Sequence, residues 1–517
     1  MKKAAKYLSF GSLAVLIIAM MAATILERLH GTDFAFRWVY HNPLFIALWG
    51  VTAICGLFWL VSQGAYKRFF TFLLHVALVV ILAGALVTHL TGTSGEISLR
   101  TGESSDRLVL DDGTERTLPF SLQLDEFAVE YYEGSMMPSD YRSEITVLPA
   151  GEKRTISMNN ILKYGGYRFY QADYDEDLKG SILAVSHDPW GIAITYTGYL
   201  LLLISMIGFF FQKDSGFRKV LRKISKPALA LIPALLIPAT SNAQTTSGLE
   251  TFYYGIANPR IPFMVCLTLG IVMFVLMGLW MAKEKKPSVK LVRALTVVAA
   301  VLFAYLTVAF VLRWIVSGQG PFAGTYNVMM LMAWLASLTM LLMNGRFPLV
   351  FPLGFLLAGF TMLLASMRGP AISPLMPVLR SPLLSFHVMS MMMSYTLFGL
   401  AALNGVMGLI LPSRKVKENL RDISLLILYP AVFLITFGTF LGAVWANISW
   451  GTYWGWDPKE TWALITLLVY SFALHGGSVK AFRNPVFFHI YTIAAFLSVL
   501  VTYFGVNMLL GGMHSYM

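Results

Sequence analysis

The sequence predicts an all-α polytopic membrane protein of about thirteen transmembrane helices with one small external β-rich domain. Three observations lead there. Of 517 residues, 57% are hydrophobic and only 13% charged, with a mean hydropathy of +0.66, values that a water-soluble chain of this length hardly reaches. The apolar residues fall into long runs separated by short basic clusters. One stretch, 92–188, breaks that pattern with alternating apolar and polar residues.

The thirteen runs lie at 8–26, 44–62, 70–91, 189–211, 227–243, 261–282, 291–316, 325–344, 348–367, 384–411, 423–445, 459–477 and 485–509. Most reach the ~20 residues needed to cross the hydrocarbon. Lys2 and Lys3, Lys67 and Arg68, Lys213 to Lys226, Lys283 to Arg293, Arg346, Arg414 to Lys417 and Lys480 to Arg483 occupy alternate loops, which makes those loops and the N-terminus cytoplasmic. The formal charge of +12 therefore reports topology and not a nucleic-acid partner. The fifth run, with three prolines, a basic start and small residues up to Ala243, reads as an internal signal sequence with a candidate cut before Gln244.

Within 92–188, Glu96–Arg100, Phe120–Leu124, Glu144–Leu148 and Tyr167–Gln171 alternate as strands do. Asp111-Asp-Gly113 and Pro149-Ala-Gly151 supply turns, so a small antiparallel sandwich or half-barrel is expected outside. Cys55 and Cys266 lie in separate apolar runs, which excludes a CxxC redox or metal site, and no CxxCH is present.

The segment Trp450–Trp462 holds four tryptophans, Tyr453, Asp457 and Glu460 between two apolar runs. One or two aromatics there would be interfacial anchors; four, with Gly451, Gly455 and Pro458 shaping the backbone, suggest a platform for a large flat apolar ligand. Asp457-Pro-Lys-Glu460 is also a natural helix start, with Asp457 as cap and Glu460 closing a capping box.

Histidine depth singles out two pairs. His75 lies about 8 Å into the third run and His475 about 24 Å beyond Lys459, which puts both in the inner half of the membrane. His387 and His514 lie on the outer side, level with the tryptophans. Intramembrane or interfacial imidazoles are costly, and bis-imidazole ligation of a haem iron needs one ring from each side of the macrocycle. His30, His41, His89, His187 and His489 read as structural.

On these motifs the chain resembles the System II cytochrome c synthases, in which a CcsB-type (ResB-like) part is joined to a CcsA-type (ResC-like) part. Trp445–Ala463 resembles the family's tryptophan-rich WWD motif. Ser381–His387 and Gly505–Tyr516 are similar to the segments with its external haem-ligating histidines, and Arg313–Asn327 to another CcsA signature. Leu74–Ala77 and Ile156–Gln171 are similar to CcsB-type proteins. The resemblance implies a division into 1–91, the external domain 92–188, a helix and basic linker 189–226, a signal-like segment 227–260, and a haem-handling part 261–517 with its motif at 445–463.

It further implies that His387, His514, His75 and His475 ligate haem iron and that Trp445, Trp450, Trp454, Trp456 and Asp457 contact haem b. The expected activity is covalent attachment of haem to the CxxCH of an apocytochrome c, in a bacterial inner membrane, with an external thiol–disulfide reductase as a further partner. The alternative is a haem exporter that serves a separate lyase. The external domain is shorter than the family's usual one, and Gly476-Gly477 stand where a basic residue often follows the inner histidine.

Overall fold

In the computed structural model, which describes residues 1–224, 247–283, 285–343 and 347–510, the apolar runs form helices in the expected order. Helix α1 (Lys2–His30) turns at Gly31, φ 91°, into α2 (Thr32–Ala35) and a π-helical turn, Phe36–Tyr40. Asn42 then caps α3 (Pro43–Ser62) by accepting from the Leu44 N–H at 2.9 Å, and α4 (Phe69–Thr91) rises into the β domain.

Eight strands follow: β1 (Thr93–Arg100), β2 (Ser104–Leu110), β3 (Glu115–Tyr131), β4 (Pro138–Leu148), β5 (Glu152–Ser157), β6 (Leu162–Tyr164), β7 (Tyr167–Tyr174) and β8 (Gly180–His187). They form one antiparallel sheet in the order β5-β4-β3-β2-β1-β8-β7-β6. The sheet curls onto itself. Ser143 on β4 and Ser181 on β8, distant in the strand order, hydrogen-bond each other at 2.8 Å, and the Ser143 hydroxyl donates to the Gln171 amide oxygen on β7 at 2.7 Å. Ile97, Leu122, Leu124, Ile145, Val147, Phe169 and Leu183 fill the enclosed face. The predicted turns at Gly113, φ 81°, and Gly151, φ 69°, sit in the left-handed region that glycine tolerates.

Helix α5 (Gly191–Phe211) returns beside α4, followed by α6 (Gly216–Ile224), α7 (Ser247–Ile256), α8 (Arg260–Ala282) and α9 (Val289–Ser317). Then come α10 (Thr325–Leu342), α11 (Val350–Arg368), α12 (Pro382–Ile410), α13 (Arg414–Trp450), α14 (Pro458–Leu474) and α15 (Pro485–Leu500), which continues as a π-helix to Leu510. Among the described residues eleven helices are long and apolar enough to cross a membrane; α14, with 17 residues, is slightly shorter. The run at 227–243, with its candidate cut after Ala243, lies outside the described residues. Helices α10, α11 and α12 are mostly buried, whereas α3 and α4 turn most of their surface outward, as lipid-facing helices do.

The α4–α5 pair supports the sheet. A Cβ on Gly84 would stand 2.7 Å from the Thr195 backbone nitrogen, and one on Gly198 3.0 Å from the Ile81 nitrogen, so glycine permits the close approach. Gly84→Val is therefore expected to force the helices apart and destabilise the protein by ~1–3 kcal/mol. A lowered thermal midpoint in detergent, with that of Gly50→Ala not lowered because nothing lies within 4 Å of its new methyl, checks this.

Candidate functional site

The structure brings two of the four singled-out histidines together. His75 sits in the second turn of α4 and His475 caps the C-terminus of α14, at the end of the bundle opposite the sheet. Their ring centroids are 6.2 Å apart and the planes cross at 85°. His75 Nδ1 lies 2.8 Å from the Thr71 carbonyl oxygen and His475 Nδ1 2.7 Å from that of Ser471, one turn back on each helix. A proton on each Nδ1, donated to that carbonyl, leaves the Nε2 lone pair for a metal.

The spacing suits one kind of occupant. Two metal–imidazole bonds of ~2.0 Å, with ~1.1 Å from each nitrogen to its ring centre, add to ~6.2 Å. Among the described residues no three His, Cys, Asp or Glu side chains gather to hold a simple ion. A porphyrin iron needs no third side chain, because the macrocycle supplies four ligands and two imidazoles complete the set. Phe10 of α1 adds an aromatic edge, 5.8 Å from the His475 ring.

At the sheet end, His387 of α12 lies against α13. Its Nδ1 is 2.6 Å from the Gly438 carbonyl oxygen, and its ring covers Gly442, where a Cβ would stand 2.7 Å from Cε1 and Nδ1. Glycines one turn apart on α13 thus form the seat for this imidazole. His514 lies outside the described residues. Asn507, on the span leading to it, accepts a hydrogen bond from the Lys459 ammonium at 2.9 Å, which ties the last span to the start of α14.

The tryptophans divide among three neighbours. Trp445, buried, meets Trp450 edge-on at 4.8 Å. Trp454 packs with Tyr453, Tyr196 and Tyr199 against α5. Trp456 adopts φ 53°, a costly conformation for a bulky residue, and Tyr40 stacks on its ring at 4.6 Å and 11° with Phe45 edge-on at 5.4 Å. One face of Trp456 is therefore taken by the N-terminal helices. Asp457 accepts from the Lys459 N–H at 2.8 Å as the cap of α14, with Pro458 in the first turn. Glu460 accepts from the Gly455 N–H at 2.8 Å, so its side chain braces the loop before the cap.

Asn447 lies within the motif, and sequence reasoning did not single it out. Its amide oxygen accepts from Arg168 of β7 at 2.7 Å and from Tyr196 of α5 at 3.0 Å, and its amide nitrogen donates to the Gly451 carbonyl at 3.2 Å. One buried side chain thus fixes the sheet, α5 and the aromatic loop together. Asn447→Ala is expected to cost ~1–3 kcal/mol by leaving Arg168 and Tyr196 without their acceptor. A lowered thermal midpoint, with faster proteolysis in the sheet, measures it.

Among the remaining histidines, His489 is structural: it is fully buried, its Nε2 lies 3.0 Å from the Lys417 carbonyl oxygen, and its ring packs on Gly408. His187 lies over Tyr167 at 4.5 Å.

The model of the ResB-like family matches residues 59–188, and that of the cytochrome C assembly protein matches 322–514. These stretches contain His75 and the sheet in one case, and His387, the tryptophan segment and His475 in the other. Protein NrfI of Wolinella succinogenes is 24% identical over an alignment covering 77% of this chain and 71% of its own. The cytochrome c biogenesis protein CcsA of a Synechococcus species is 32% identical over 49% of this chain and 97% of its own, and that of Chlamydomonas reinhardtii is 33% identical over 41% and 65%. With each of the two matched stretches contributing one ring to the His75–His475 pair, and on these matches, the chain belongs to the System II cytochrome c biogenesis proteins, as a ResB/CcsA fusion.

Proposed function

We propose that the chain is a holocytochrome c synthase of a bacterial inner membrane, which takes haem b at His75 and His475 and presents it externally between His387 and His514. The observation that carries this reading is the His75–His475 pair, spaced for two axial bonds. With the N-terminus cytoplasmic, that pair opens toward the cytoplasmic side, and the sheet and tryptophan segment face the periplasm.

At the outer site each cysteine thiol of a CxxCH segment adds across a haem vinyl group. The sulfur bonds one vinyl carbon and the proton goes to the other, so no electrons leave the pair of reactants. The CxxCH histidine then displaces one synthase imidazole from the iron. The protein contributes orientation, which can lower such a barrier by ~7–11 kcal/mol. Asp457 and Glu460 support the loop, their carboxylates accepting backbone N–H groups. The thiols must arrive reduced. Cys55 and Cys266 are free and lie on separate helices, so an external thiol–disulfide reductase supplies that state.

Coexpression with a CxxCH apocytochrome in a host without its own maturation system tests the proposal. Covalent holocytochrome is the expected product. Haem retained on the chain with no thioether product would leave a haem exporter that serves another lyase.

A further inference from the structure

We infer that His41 and His89 form a further bis-imidazole site for haem iron, between the His75–His475 pair and the tryptophan segment. The inference rests on the haem-handling function proposed above and adds a station to it.

His41 follows the π-helical turn Phe36–Tyr40, and His89 lies in the last turn of α4, so both belong to the sheet end of the bundle. Their ring centroids are 5.3 Å apart with the planes tilted by 52°. That is 0.9 Å less than the separation of His75 and His475. Both side chains are exposed, so small rotations open the pair to the span of two axial bonds.

The donor set again selects the ligand. With no third His, Cys, Asp or Glu grouped with them among the described residues, two imidazoles hold a bare divalent ion weakly but complete the coordination of a porphyrin iron.

Position adds a second, independent argument. His75 and His89 are fourteen residues apart on one continuous helix, which places them about 21 Å apart along its axis and about 40° apart around it. One face of α4 thus carries an imidazole near each end, and each has a partner from another segment. The residue before His41 is Tyr40, whose ring covers Trp456. Haem leaving the lower pair along that face would reach His41 and His89 directly beside the aromatic loop. Transfer there is exchange of axial lone pairs on the iron, with no net redox change.

The test uses the full chain in detergent, in a His475→Ala/His387→Ala background that removes a ligand from each other pair, titrated with haem. A residual low-spin bis-imidazole spectrum is expected, at least ten-fold reduced by His41→Gln or His89→Gln and restored in His89→Gly by added imidazole. Unchanged residual signal in both glutamine variants overturns the inference while the haem-binding function stands. If the unsubstituted chain binds no haem, both readings fall. Nickel binding that needs both histidines, with haem binding that needs neither, also overturns the inference. The same glutamine substitutions in the otherwise unsubstituted chain should keep the His75–His475 spectrum, which reports the fold.

Discussion

Gly442→Ala is expected to remove haem from the sheet end of the bundle as completely as His387→Ala does. The new methyl would stand 2.7 Å from His387 Cε1 and Nδ1, inside any tolerated contact, and the ring has the α13 backbone beneath it. Helix propensity works the other way, since alanine stabilises a helix interior by ~1 kcal/mol relative to glycine. Helix α13 therefore survives and the imidazole moves, breaking its 2.6 Å contact with the Gly438 carbonyl. A ten-fold loss of bound haem corresponds to ~1.4 kcal/mol, which a displaced axial ligand readily exceeds. Haem content and the low-spin spectrum of the purified protein read the outcome. Gly278→Ala is the control, because its methyl meets only the flexible end of Met407, the sulfur at 3.4 Å and the methyl at 3.7 Å. A Gly442→Ala protein with unchanged spectrum would show that His387 does not use this seat when it binds iron.

The second large effect concerns the opposite end. His75→Ala and His475→Ala should each cut haem retained there at least ten-fold, and the double variant should lose little more. On the proposed function the two rings act on one iron, so removing either leaves a single axial bond, and such coupled losses do not add. The matched Nδ1 contacts, 2.8 and 2.7 Å to backbone carbonyls, give the two imidazoles the same tautomer and hence equal standing as ligands. Additive losses across the double-mutant cycle would mean two independent sites. His489→Ala should instead lower the thermal midpoint and spare haem, since that ring serves Lys417 and Gly408.

Much of this was legible in the sequence because membrane helices announce themselves by length. Twelve of the thirteen runs correspond to described helices, but α13 is longer than its apolar run at 423–445. Its first turns are polar, and their anchor is tertiary: Asp422 is buried against Arg421 and Lys223, a pairing no local pattern reveals. In the sheet, β2, β5, β6 and β8 went unremarked because no clear alternation set them apart; sheet pairing decides them. His75 and His475 could be matched by depth because each lies a countable distance from a span end. His41 and His89 could not, because one follows an irregular turn whose position is set by Tyr40 docking on Trp456. The division of labour among the tryptophans was hidden for the same reason: spacing gives their number, and only packing tells which faces are taken.

Helix α1 lies along α14 from end to end. The Lys6 ammonium reaches the Ser478 carbonyl at 2.5 Å near His475, and the Trp462 indole donates to Thr24 at 3.2 Å beside the aromatic loop. The N-terminal helix, which precedes both matched stretches, is thus held along the second of them, with Phe10 beside His475, while His75 reaches that ring from α4 in the first. On the proposed function, capture of haem is conditional on assembly: a truncated or misdocked chain offers one axial ligand and holds iron weakly. Reactive haem would then load only onto a molecule whose downstream machinery is already in place, so assembly itself acts as the licence for loading.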